Sequence, residues 1–517
     1  MRPPIVAAFA LVLLPLACIA QAIPGGPMPG VPGELARRGE MPPHSWVDKD
    51  TGHRVWRLSD EANSGGFYFN INAYTPDSKQ MIYTAPDGIH VLDMATMKTK
   101  LLVPNPKGAI DASSSAPPPP GVLHTLVVGH KTNSVFYTAT DAAGVTSIYK
   151  ANTNTGAIRK LVDVPKLPNT SGMSVVSVNA DETLIAGTYI VGEHSNQLFG
   201  SNIPAPAQPA GATDNRVGSA AQGPHYQPAN KGQMMATRLA AHLPLVLFTL
   251  RLEPGPNGAK AGDLKPLLHS TDWINHLLFS PTDPELLMYC HEGSWGQVNR
   301  IWMIHTDGTH NTLIHKRTMV NEIAGHEFWG LDGETIWYDW QFPAGEDFFL
   351  AGYNLKTGKR TALHMQRDDW SIHFNLTKDL DLFCGDGGDP GQVAHAQNGE
   401  WIELFHPIIR TPGPQQLNGP DFWQPGVLRP EHLVNMSWHY YREEPNVRFS
   451  PDKKLVIFTS NMFGPSYVFG AEVEKAVDPP AADVVSTPKL AKRFNPTGPP
   501  SGSPRVPPPA TSTPPTR

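Results

Sequence analysis

Residues 274–290 read INHLLFSPTDPELLMYC, and this stretch decides the fold. An apolar run ends at Phe279. The polar turn Ser280-Pro281-Thr282-Asp283 follows, and a second apolar run begins at Leu286. Short runs rich in aromatic and branched residues, bounded by turn residues, read as strands. The same unit recurs along the chain. Its turns are Thr75-Pro76-Asp77, His130-Lys131-Thr132-Asn133, Asn179-Ala180-Asp181, Gly330-Leu331-Asp332-Gly333, Thr377-Lys378-Asp379 and Ser450-Pro451-Asp452. The runs after them are MIYTA, SVFYTA, LIAGTY, TIWYDW, LDLFC and LVIFTS. Most units continue into a third strand (RIWMIHT, FLAGYNL, YVFGAEV), and several into a fourth (IRKLV, RTALH). Seven units, mostly 47 to 56 residues apart, predict an all-β domain over residues 53–474: a seven-bladed β-propeller with four-stranded blades. The last unit has no fourth strand of its own. Arg54-Val55-Trp56-Arg57-Leu58 is expected to supply it, removing an exposed edge.

The composition agrees. The chain has 517 residues with 53 prolines, 46 glycines and three cysteines. Proline breaks helix interiors, which disfavours a helical bundle. Three cysteines exclude a disulfide-stapled scaffold. With 41 basic against 47 acidic residues the formal charge is −6, which excludes a generic basic nucleic-acid binder. Cys290 and Cys384 lie in apolar runs and are expected to be buried thiols. Much of the proline lies outside the repeat. Residues 475–517 have almost no large apolar side chain and are expected to be a disordered Pro-rich tail. Residues 23–52 form a Pro/Gly-rich segment, and residues 195–231 read as a long loop. Arg2, the apolar run from Ile5 to Ala17 and Ala20-Gln21-Ala22 read as a signal peptide over residues 1–22, which predicts a periplasmic or secreted protein without a stable membrane span once the leader is removed.

In a propeller the innermost strand of each blade lines the central channel, and here that strand precedes the turn. Counting back five residues from equivalent turn positions gives His276, His326, His373 and Asn446. Equal register means one face and similar depth, because side chains alternate with period two. Glu444 shares the face of Asn446, His439 lies a little earlier, and His291 ends the second strand of its unit beside Glu292. A lone strand histidine is usually a hydrogen-bonded structural residue. Convergent imidazoles with a carboxylate and an amide suit a divalent ion or a base poised near neutral pH. No G-x-S-x-G, P-loop, dinucleotide fingerprint or C-x-x-C-H is present, so serine hydrolysis, nucleotide chemistry and covalent haem are not indicated.

The pieces TGHRVWRLS, YFNINAYTPD, WINHLLFSP, CHEG, GHEFW and EPNVRFSPD resemble the oligogalacturonate lyase family, polysaccharide lyase family 22. The resemblance implies a seven-bladed propeller that cleaves short uronic-acid oligomers by β-elimination. It also implies a divalent ion, usually manganese, on the uronate carboxylate and a histidine base. On this resemblance His276 of WINH matches the catalytic histidine and His326 of GHEFW a metal ligand. The family's remaining ligands come from a Gln-x-x-His-x-His pattern, whose places are held here by Tyr441, Glu444 and Asn446. Oxygen from Glu444 and Asn446, with His439 beside them, is compatible with Mn, and also with Ca or Mg. Arg238 and Arg251 are the candidates for the arginine that neutralises the uronate. His291, His373 and Tyr441 complete the expected substrate-binding set. The rival reading is a non-catalytic periplasmic binding or scaffold propeller similar to the TolB-like domains.

Overall fold

The computed structural model describes residues 41–111, 121–170, 173–192, 236, 238–388, 400–411, 413, 419, 421–441, 443–477 and 484–485. The expected leader at 1–22, the loop at 195–231 and nearly all of the tail beyond 477 lie outside the described residues.

Almost every regular element is a strand. Among the described residues the exceptions are a short helical stretch ending at Ala241 and two 3₁₀ turns, Pro256–Gly258 and Arg367–Asp369. The strands of the described residues form six sheets of three to eight members. The quoted stretch begins a four-stranded antiparallel meander: Ile274–Phe279, Leu286–His291, Ile301–His305 and Thr312–Leu313. A second such meander runs Ser174–Val178, Leu184–Ile190, Leu245–Arg251 and Leu264–Ser270. In the eight-stranded sheet, Ile323–Trp329 to Arg360–His364 form one meander and Phe374–Leu376 to Trp423–Asn435 another. They are joined by parallel pairing of Arg360–His364 with Trp423–Asn435.

The turn chemistry explains the repetition. Thr75, Thr377 and Ser450 each donate a side-chain hydroxyl to the aspartate two residues on, at 2.7 Å in all three cases. The residue after each aspartate, Ser78, Leu380 or Lys453, then takes a left-handed conformation with φ between 61 and 63°. This is the local side-chain-to-backbone logic that makes Ser, Thr and Asp turn formers.

The closing strand is found at His53–Arg57, antiparallel to Tyr467–Lys475. The N-terminal segment contributes more than expected. Ser45–Asp48 pairs outside His53–Arg57, so the fold begins before residue 53. Trp46, 1% exposed, meets Phe463 and Phe469 edge-on at centroid separations of 5.3 and 5.6 Å. The Pro/Gly composition of residues 23–52 concealed this strand, because its apolar content is only Trp46 and Val47. Cys290 and Cys384 are buried free thiols, as their apolar runs required.

Candidate functional site

The strands that begin the meanders place their histidines by a shared distortion. Pairing slips between Asn275 and Leu278 in one sheet and between Gly325 and Phe328 in the next. His276 and His326 sit in these bulges with φ of 48 and 46°. Asn446, just before Arg448–Phe449, has φ of 56°. A left-handed conformation costs a non-glycine residue roughly 1–2 kcal/mol, and bulges re-aim side chains. The same geometry recurs at three equal-register positions. His373, at the fourth position, is not among the residues with positive φ.

Each histidine is oriented by a carboxylate from the following strand or its end. His276 Nε2 lies 3.0 Å from Glu292 Oε2. His326 Nδ1 lies 3.1 Å from Asp339 Oδ2, and His373 Nδ1 lies 2.7 Å from Asp386 Oδ2. Asp386 also accepts the backbone N–H groups of His373 and Asn446, at 2.9 and 3.2 Å. The rings converge: His326 and His373 are 4.9 Å apart at their centroids. His373 Nε2 is 3.2 Å from the Tyr68 hydroxyl and 3.7 Å from Glu444 Oε2. His276 has the most accessible side chain of the three, 32% exposed, against 10% for His326 and 0% for His373.

The electrostatics follow from burial and pairing. Burial would raise the Glu292 carboxyl, but the Arg300 guanidinium and the His276 hydrogen bond hold it well below the usual carboxylate range. Arg300 donates to Glu292, lies 3.8 Å from Glu327, and stacks over Trp295 at 4.4 Å. Burial alone would lower the His373 imidazole. The charges of Asp386 and Glu444 outweigh it and raise it, which reports a negative local field. Burial, with Glu444, Glu327 and Asp386 nearby, pushes the Tyr68 phenol well above its ordinary value, so it stays a hydrogen-bond donor.

Tyr68 and Phe69 are the residues that sequence reasoning missed. Phe69 stacks on His373 at 4.5 Å and meets His326 edge-on at 6.4 Å. Their segment is clamped by Arg448, which donates to the carbonyls of Phe67, Tyr68 and Ile71. The available signal was YFNIN itself, an aromatic pair a few residues before the turn Thr75-Pro76-Asp77. Asp339 was legible only as a residue of the second strand TIWYDW, and Asp386 lies just past the strand Phe383–Gly385.

Several expected site residues have other duties. Asn446 is tied on both sides: its Oδ1 accepts the Phe69 N–H at 3.1 Å and its Nδ2 donates to the Glu444 carbonyl at 2.8 Å. His439 is buried, with Nδ1 3.0 Å from Ser460 Oγ and Nε2 2.7 Å from the Glu443 carbonyl, so both its nitrogens are engaged. Tyr441 is buried and donates to the Asp386 carbonyl. Arg251 lies at the far end of Leu245–Arg251, about 20 Å along the strand from Leu245, which borders the Trp273 cleft. Arg238 stacks over Trp273 at 4.6 Å, in a cleft bordered by Ile190, Leu243, Leu245 and Asp272. His291 Nε2 lies 3.6 Å from Asp272. Both therefore flank the WINH segment.

As a metal centre, the donors are right in kind. Asp339 and Asp386 hold one nitrogen of His326 and His373, the arrangement that orients metal-binding imidazoles. Among the described residues, however, the only three His, Cys, Asp or Glu side chains with ligand atoms all within 4.8 Å are Asp369, Glu403 and His432.

Comparison with known proteins places this geometry in context. The sequence model of the oligogalacturonate lyase family matches residues 257–477, a span that contains His276, His326, His373, Glu444 and Asn446. The oligogalacturonide lyase of Pectobacterium atrosepticum is 26% identical over 226 residues, covering 42% of this chain and 54% of that protein. The oligogalacturonate lyase of Dickeya dadantii is 24% identical over 228 residues, with the same coverage. The chain thus matches about half the length of these relatives. Among solved structures, the oligogalacturonate lyase of Vibrio parahaemolyticus superposes with a TM-score of 0.58 at 19% identity, over 83% of this chain and 96% of that one. An oligogalacturonate lyase in complex with manganese gives the same TM-score and coverage at 18% identity. At these identities the structural likeness is one of fold.

Proposed function

We propose that this chain is a lyase that cleaves short uronic-acid oligosaccharides, of oligogalacturonate type, by β-elimination at the channel mouth of a seven-bladed β-propeller with four-stranded blades. Reading the eight-stranded sheet as two meanders joined edge to edge supports a count of seven. The family match over 257–477 and the curated lyase relatives support the activity.

The observation that carries the reading is a set of carboxylate-oriented histidines around Tyr68, whose ring centroid lies 6.4 Å from that of the accessible His276 and 5.0 Å from that of His373. Elimination begins with loss of the C5 proton, α to the uronate carboxylate. The C–H electrons form the C4–C5 double bond, and the C4–O bond breaks with its electron pair leaving on the glycosidic oxygen, which takes a proton from solvent. His276 takes the proton. Glu292, kept ionised by Arg300, fixes the ring through Nε2 and stabilises the imidazolium, leaving Nδ1 as the basic atom. The charge that develops on the carboxylate needs a cationic partner. Arg238, stacked over Trp273, is suited to that task.

A divalent ion, manganese first, is supported by the manganese complex of a structural neighbour and by the negative field at His373. His326 and Glu444, with His373, would hold it, and its chemistry would be to neutralise the uronate carboxylate. The commitments of Asn446, Tyr441 and His439 favour the rival binding propeller, which has no turnover. Residues 1–22, read as a secretory leader, support a periplasmic or secreted location.

The experiment is to incubate the purified protein with oligomers of galacturonate, glucuronate and rhamnogalacturonan, with and without Mn²⁺. Ultraviolet absorbance of the 4,5-unsaturated uronate is expected with galacturonate oligomers. Binding without any absorbance change in every case selects the scaffold reading.

A further inference from the structure

Outside the channel, one cluster is built like a cation site. Glu403 and His432 are cross-strand partners on Trp401–Ile409 and Trp423–Asn435, at a register shift between Ile402 and Glu403. Asp369 ends the 3₁₀ turn Arg367–Asp369 and reaches the same point. One ligand atom from each of the three lies within 4.8 Å of the others. Glu403 is the decisive residue. It is 0% exposed, and neither of its carboxylate oxygens has a hydrogen-bond partner. His432 Nε2 is 3.4 Å from Glu403 Oε1, without forming a hydrogen bond to it. A buried carboxyl with both oxygens unbonded is costly unless something else compensates it.

The surroundings suit an ion. The His432 ring stacks on Trp401 at 4.2 Å with 13° between planes, so its orientation is fixed. Its side chain is 41% exposed, which leaves a way in from solvent. Burial raises the Glu403 carboxyl well above its ordinary value, and burial with Asp368 nearby raises Asp369 to about 6. Two carboxylates and one imidazole, with no thiolate, match zinc or manganese better than calcium, which takes oxygen ligands.

We infer that Asp369, Glu403 and His432 form a second divalent-metal site, selective for a zinc-like ion, that ties the turn before His373 to the neighbouring strands. The site is separate from the channel cluster and independent of the lyase reading. Its place in the fold gives it a purpose. Asp369 is followed by Trp370, Ser371, Ile372 and His373, and Glu403 pairs with Gly385, the residue before Asp386. An ion here would pin both chain segments that carry the His373–Asp386 pair.

The test uses the full chain carrying His326→Ala, so that the channel cluster contributes less metal. After chelator treatment, Zn²⁺ is titrated by calorimetry and counted by metal analysis after dialysis. One equivalent is expected to bind, with a thermal midpoint raised by about 3 °C at a hundredfold excess over Kd. Adding Glu403→Gln, a near-isosteric change, is expected to remove both the equivalent and the midpoint shift. His432→Gln, at a half-exposed position that folding tolerates, is expected to weaken binding at least tenfold. Zinc stoichiometry and midpoint shift unchanged in both double variants would overturn the site. So would no zinc binding in the parent, which would leave the two acids as a pair held neutral by their protons.

Discussion

His276 and Glu292 stand 3.0 Å apart, Nε2 to Oε2, although one lies in a strand bulge and the other just past the end of the next strand. Arg300 locks the carboxylate from the opposite side. The arrangement fixes the imidazole's orientation and stabilises its charged form, which a base needs at the moment it accepts a proton. His276→Ala is therefore expected to abolish formation of unsaturated uronate, followed by ultraviolet absorbance, with circular dichroism unchanged. Glu292→Gln is expected to lower kcat about 10²-fold with little change in KM, because general-base assistance is worth about that much. Full activity in either variant would remove the pair from the mechanism.

The left-handed backbone at His276 makes a prediction about stability that is separate from chemistry. Alanine at this position keeps the strain, whereas glycine relieves it. His276→Gly is expected to be more stable than His276→Ala by about 1 kcal/mol, measured by urea unfolding. Equal stability would mean that the bulge relaxes when the imidazole is gone.

Asp339 orients His326 through Nδ1. Its replacement by asparagine keeps the shape and loses the charge. Apparent Mn²⁺ affinity, read by isothermal titration, is expected to fall 10- to 100-fold, as when an outer partner of a ligating histidine is removed. Unchanged affinity would place the ion away from His326.

Asp48 is buried and accepts N–H groups from Asp50, Thr51 and Asn435. Burial raises its carboxyl from 3.8 to about 6. The folded state thus binds this proton more tightly than the unfolded state. Its contribution is fully present below about pH 4 and is lost as pH rises through about 6, a difference of about 3 kcal/mol. Urea midpoints measured between pH 4 and 6.5 are expected to show this loss, and Asp48→Asn to flatten it. An identical slope in the variant would assign the pH dependence to other groups.

Trp46 tests whether the strand before residue 53 belongs to the fold. It is fully packed against Phe463 and Phe469. Trp46→Ala is expected to cost about 3–5 kcal/mol, the usual range for emptying such a site. A cost under 1 kcal/mol would mean that Ser45–Asp48 is a detachable edge.

Local patterns were enough for much of this. The strand–turn–strand unit, its Ser/Thr-x-Asp turn and its apolar strands are readable because each depends on neighbours within a few residues. Counting back from the turns selected His276, His326, His373 and Asn446, but period two does not explain their aim, because His276 and His326 sit in bulges where pairing slips. The strand Ser45–Asp48 was not readable, because four residues with two apolar side chains carry no period. Nor were the duties of Asn446 and His439, whose partners Phe69 and Ser460 are set by folding and not by spacing.

The sequence by itself determined a repeat-built β domain, a closing strand expected at Arg54–Leu58, and the imidazoles His276, His326 and His373 counted back from equivalent turns. Only the tertiary structure decided which carboxylate orients each imidazole, that Tyr68 and Phe69 enter the cluster, that Arg251 lies at the other end of its strand, and that Glu403 meets Asp369 and His432. The physical reason is one of range. Strands and turns are specified by local sterics and hydrogen bonds, whereas a site is specified by contacts between segments far apart in the chain, at distances that only packing fixes.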